Sequence, residues 1–164
     1  MNEDLHDIVR NNRVDELKEV LKSDVDPDKK DGSGASLLHC AVREKNEEIA
    51  MILLENGADV TIQDDEGKTP LHYAVENDCY DLTEAILKRN TLAVRILDND
   101  GNEPLWPAVK HSKGDHALVK LLLSYGGNVN HKNNMGSCPS DIPKETADNS
   151  LLKVLEESLD SKII

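Results

Sequence analysis

The chain repeats itself about every 33 residues, and that constrains its fold more than any other feature. GASLLHCAV at 34–42 falls on GKTPLHYAV at 67–75, then on GNEPLWPAV at 101–109 and GSCPSDIPK at 136–144. Backwards, EDLHDIV at 3–9 lies under SLLHCAV. The second half of each unit repeats as well. NEEIAMILLENGADV at 46–60 matches HALVKLLLSYGGNV at 116–129, and CYDLTEAILKRNTLA at 79–93 and RVDELKEVLKSDVDP at 13–27 fill the same place more loosely. A unit this short cannot bury a core alone; it must stack on its neighbours.

Each unit predicts two short helices and a turn. Thr69 suits an N-cap and Pro70 the first helical position, where its missing N–H costs nothing. Leu71, Ala74 and Val75 then fall at i, i+3 and i+4 on one apolar face. Asn77-Asp78 ends that inner helix. An outer helix follows, carried in the preceding unit by Ile49, Ala50, Ile52, Leu53 and Leu54, with Gly57 at a left-handed C-cap. Asn90 stands where a later unit should have such a glycine, and a left-handed asparagine is expected there. Pro143 should shorten the last inner helix.

The pattern D-x-x-G-x-T-P-L-H-x-A, present from Asp64 to Ala74, resembles the ankyrin repeat. The resemblance covers nearly the whole chain: a degenerate unit at 1–30, full units at 31–63, 64–97 and 98–132, and a truncated one at 133–164. It implies an all-α solenoid of about five stacked helix-turn-helix units with short hairpin-like loops, forming a single domain. With both ends reading as caps, a stand-alone array is expected.

His6, His39 and His72 occupy one position of successive units, taken by Trp106 and Asp141 in the last two. Stacked helices lie roughly 8–10 Å apart, whereas ligands of one zinc ion must each come within about 2.3 Å of it. One histidine per rung cannot converge on a metal. The family resemblance implies a strut from the Thr side chain to neighbouring loop backbone. His111, His116 and His131 fall in loops or helix ends, as solvated or capping residues. No G-x-S-x-G, H-E-x-x-H or glycine-rich phosphate loop occurs. A metal-dependent hydrolase built from scattered His and carboxylates is the weaker alternative to a non-catalytic module, and no cofactor is expected.

Composition narrows the partner. With 32 acidic against 19 basic residues the formal net charge is −13, which opposes binding to nucleic acid or an anionic membrane and favours a basic protein. The three cysteines are far apart and no C-x-x-C is present, as expected of a protein in a reducing compartment such as the cytoplasm. MNEDLHDIV lacks the pattern of a secretory signal, and no run is apolar enough for a membrane span.

Ankyrin-like arrays bind proteins with hairpin tips and the exposed face of the inner helices. Carried onto this chain, the tips are Gly32, Ser33 and Ala35, then Asp65, Glu66 and Lys68, then Asn99, Asp100 and Asn102. The inner-helix face is Cys40, Arg43 and Glu44, then Tyr73, Glu76 and Asn77, then Pro107, Lys110 and His111. Trp106 either anchors a partner or fills the space of the missing histidine. From these the candidate site is Asp65, Glu66, Lys68, Tyr73, Glu76, Asn77, Asn99, Asp100, Asn102, Trp106, Lys110 and His111. The expected behaviour is that of a protein monomeric when unbound, serving as an inhibitor, an immunity-type protein of bacterial character, or an adaptor or scaffold.

Overall fold

The computed structural model describes residues 4–160 apart from 24, 113 and 115. Helices come in antiparallel pairs: α1 (Leu5–Arg10) with α2 (Val14–Leu21), α3 (Leu37–Arg43) with α4 (Glu47–Glu55), and α5 (Pro70–Glu76) with α6 (Tyr80–Arg89). Then come α7 (Leu105–His111) with α8 (Ala117–Ser124), and α9 (Ile142–Thr146) with α10 (Asn149–Asp160). The first helices of the pairs form one layer, α1 on α3 on α5 on α7; the second form another, α2 on α4 on α6 on α8. Between the layers runs one apolar core of Leu, Ile, Val and Ala, including Leu17, Leu38, Leu53, Leu71, Leu87, Leu105, Leu122 and Leu151. Small aliphatic side chains let short helices approach closely, which is why the core needs no Phe. Among the described residues, no helix is long and apolar enough to cross a membrane.

The inner helices begin and end alike. Ser36 and Thr69 cap α3 and α5 through boxes whose third residue is the histidine. They close on a residue in the left-handed region at one register: Asn12, Lys45 and Asp78, with φ of 53°, 55° and 59°. Such a turn reverses the chain within the three residues between the helices and starts the outer helix. In the fourth pair α7 and α8 are separated by five residues instead of three, and Gly114 and His116 are both left-handed.

Two sequence expectations meet different outcomes. Pro143 does sit in a shortened inner helix: a 3-10 turn at Pro139–Asp141 leads into α9, which is five residues long. Asn90 is not left-handed. Its φ of −152° is extended, and its side chain accepts the N–H of Leu92 to start a 3-10 turn at Thr91–Arg95. Ala93 and Val94 of that turn are buried, so core packing selects the extended cap over the left-handed one.

Candidate protein-binding face

The histidines are struts. His72 Nδ1 accepts the backbone N–H of Thr69 at 3.1 Å, with the Thr69 hydroxyl 2.9 Å away. That leaves the proton on Nε2, which donates to the Asn102 carbonyl of the next unit at 3.3 Å. His39 repeats the arrangement with Ser36 and the Lys68 carbonyl, and His6 reaches the Ala35 carbonyl. Rings with both nitrogens engaged in this way have no lone pair for a metal, and among the described residues no three His, Cys, Asp or Glu side chains gather to hold one. Burial pulls His39 and His72 below the ordinary histidine range.

Stability should therefore depend on pH with a definite sign. Above the unfolded value of about 6.5 both states are neutral at these positions. Below it the unfolded chain takes up protons that the folded one refuses, so stability is lost as pH falls. The urea midpoint should be flat from pH 8 to 7 and drop between about 6.5 and 5, above the main carboxylate titration. A midpoint that rises across that window would contradict the assignment.

The hairpin tips form a second ladder. Asp31, Asp64, Asp98 and Asn133 each turn a side-chain oxygen onto two backbone N–H groups of their own loop. Successive tips are then joined through backbone: Asp65 N–H to the Ser33 carbonyl, Asn99 to Glu66, Asn134 to Asp100, at 2.9–3.0 Å. Asn99 is exposed, but its amide also donates to the Asp65 carbonyl at 2.8 Å. Gly67 has φ +72°, and a Cβ there would stand 2.7 Å from Asn99 N; glycine lets the next tip approach.

Asp65, Glu66 and Asp100 point to solvent from these tips. Asn102, taken from the sequence as a tip residue, is buried: its amide donates to Asp98 and its oxygen accepts from Asn133. The reason is alternation, since the residue just before the Thr position turns inward between hairpins, as Ala35 also does. Lys68, at the same place, is half-buried and pairs with Glu76 at 3.0 Å and Glu66 at 3.4 Å.

Tyr73 lies at the middle of the face. Arg43 and Lys68 stand 5.3 and 5.2 Å from its ring centre, and its hydroxyl donates to Asp64 at 2.6 Å. Burial and the adjacent Asp64 carboxylate raise the phenol well above its ordinary value. Asp64 was not among the expected site residues; it shows itself only once residues nine apart meet. Asn77 is a tie to the preceding unit, donating to the Val42 carbonyl at 2.9 Å. Lys110 and His111 are exposed at the end of α7.

The fourth pair departs from the others. Glu103 replaces the capping Thr, and its carboxylate turns from the helix start to Arg95 at 2.8 Å and the Asn128 N–H at 3.2 Å, with His131 3.9 Å away. Only 3% of Glu103 is exposed, and burial raises its pKa despite Arg95. Trp106 takes the strut position and is half-buried. His116 stands at the N-cap of α8, as a helix-end residue, but is buried and bonds to Ser112 and Ser150, while half-buried His131 donates to the Gly101 carbonyl.

Stacked helix pairs, a histidine strut ladder and a hairpin ladder together match one known architecture, and comparison with known proteins agrees. The family model for ankyrin repeats (3 copies) matches residues 5–95, and that for the ankyrin repeat matches residues 100–134. The chain belongs to the ankyrin-repeat family. Similar proteins include a putative ankyrin repeat protein of Fowlpox virus, 36% identical over 70% of this chain and 26% of its own. The probable 26S proteasome regulatory subunit p28 of Saccharomyces cerevisiae is 35% identical over 76% of this chain and 57% of its own. Human neurogenic locus notch homolog protein 1 is 30% identical over 65% of this chain and 4% of its own. The chain thus spans little more than half, or much less, of these relatives. An ankyrin array of this kind is a protein–protein interaction module.

Proposed function

We propose that this ankyrin array holds a basic protein, with Asp65, Glu66 and Asp100 at the tips and Tyr73, Glu76, Trp106, Lys110 and His111 across the inner-helix face. The supporting observation is the tip ladder: backbone bonds hold exposed carboxylates of successive units at fixed spacing, so a partner pays little ordering entropy on their side. The net charge of −13 favours basic partners and disfavours nucleic acid and anionic membrane. The unbound protein is proposed to be a cytoplasmic monomer that catalyses no reaction. One relative is by its name a regulatory subunit, and regulation by binding is the corresponding role here. A partner blocked at its working surface makes the module an inhibitor of the immunity type; a partner held elsewhere makes it an adaptor.

Affinity purification identifies the partner, and charge reversal tests the face. Asp65→Lys with Glu66→Lys should weaken binding of that partner by about tenfold or more, mainly by slowing association, and added salt should weaken the native complex. Binding indifferent to these changes and to Trp106→Ala removes the face from consideration. Competition between the module and the partner's own ligand separates inhibitor from adaptor.

A further inference from the structure

A groove of about 510 Å³ lies between the α5–α6 turn and the facing end of α7 and start of α8, at the opposite end of the inner helices from the tips. Its lining is mixed: Val75, Ala108 and Leu118 are apolar, and Glu76, Asp78 and Tyr80 line it as well. His111 and Ser112 contribute from the α7 side. Asp78 is exposed and makes no ion pair among the described residues. Tyr80 is 42% exposed, and its hydroxyl makes no hydrogen bond among them. Glu76 shares its charge with Lys68.

Apolar lining residues, an aromatic ring and a carboxylate with no ion pair among the described residues are together what a long cationic side chain requires. Its methylenes cover the apolar lining residues while its charge meets ring and carboxylate. We infer that the groove receives an arginine side chain of the basic partner, the planar guanidinium stacking on Tyr80 and pairing with Asp78. Arginine suits this better than lysine because it is planar, weakly hydrated and able to donate to two acceptors at once. The groove is larger than one side chain, so residues flanking the arginine enter with it. This rests on the proposed basic partner and adds a second contact point, with the inner-helix face between groove and tips.

The test needs no partner. The peptide Ac-Gly-Arg-Gly-NH2 is titrated into the 15N-labelled chain, with the neutral citrulline peptide as control. Arginine should shift the amides of Asp78, Tyr80 and Ala117 with an affinity at least about threefold above citrulline. Asp78→Asn, which suits the left-handed turn, and Tyr80→Leu should each weaken it about threefold, and together about tenfold. Asp65→Lys with Glu66→Lys should leave these shifts in place. Equal shifts from citrulline, or a lysine peptide binding as well, overturn the arginine assignment. Shifts confined to the tips overturn the groove while leaving the tip-based proposal standing, and loss of partner binding on tip reversal is read separately.

Discussion

Replacing His72 with alanine should lower the unfolding free energy by roughly 3 kcal/mol, a cavity term plus the loss of buried hydrogen-bond partners. The ring is fully buried. Its removal strands the Asn102 carbonyl and the Thr69 N–H, both in contact with little water. Exposed His111, changed to alanine, should move stability by no more than about 0.5 kcal/mol. Urea unfolding of the two variants measures the contrast. Because each helix pair of a stack contacts only its neighbours, hydrogen exchange in the His72 variant should rise most where α5–α6 meets α7–α8. Equal losses in the two variants would deny the ladder its role.

Gly67→Ala should cost about as much, by a different route. A side chain at φ +72° carries roughly 1 kcal/mol of strain. The new Cβ would also collide with Asn99, through its side-chain oxygen and backbone nitrogen. The following tip must move, endangering the Asn99 N–H to Glu66 bond and the Asn99 amide to Asp65 bond. Together these bring the expected loss to about 3 kcal/mol. Gly136 is the control: φ is +80°, but nothing lies within 4 Å of its Cβ position, so only about 1 kcal/mol of strain remains. Calorimetry on the pair separates collision from strain. The Gly67 change should also weaken partner binding, since it displaces Asp65 and Glu66 relative to Asn99 and Asp100.

Local spacing made much of this legible. The unit length, the apolar faces of α4 and α5, the stop at Asn77-Asp78 and the equivalence of His6, His39 and His72 follow from positions within one unit or from one unit laid on the next. What escaped depends on contacts that such overlays do not describe. Asn90 could take either cap, and burial of Ala93 and Val94 decided it. Register in the repeat places Asn102 at the tip, as it does Ala35, but the alternation along the hairpin turns both inward. Arg43, Lys68 and Asp64 converge on Tyr73 only in three dimensions. The groove had a signal in the two extra residues after α7, but its acidic and aromatic side, Asp78 and Tyr80, belongs to the preceding unit.

The struts all point one way. His6, His39 and His72 each donate forward, to the carbonyl of the unit that follows, while the N–H of each later tip donates back to the carbonyl of the earlier one. The two middle junctions, α3–α4 on α5–α6 and α5–α6 on α7–α8, are therefore each closed by a pair of opposed bonds, one sent from each side. Cutting the stack at either of these junctions leaves a ring donor on the earlier face and a tip donor on the later one, each without the carbonyl it meets in the stack. The two halves remain complementary: mixed after such a cut, they have a stated register in which to rejoin.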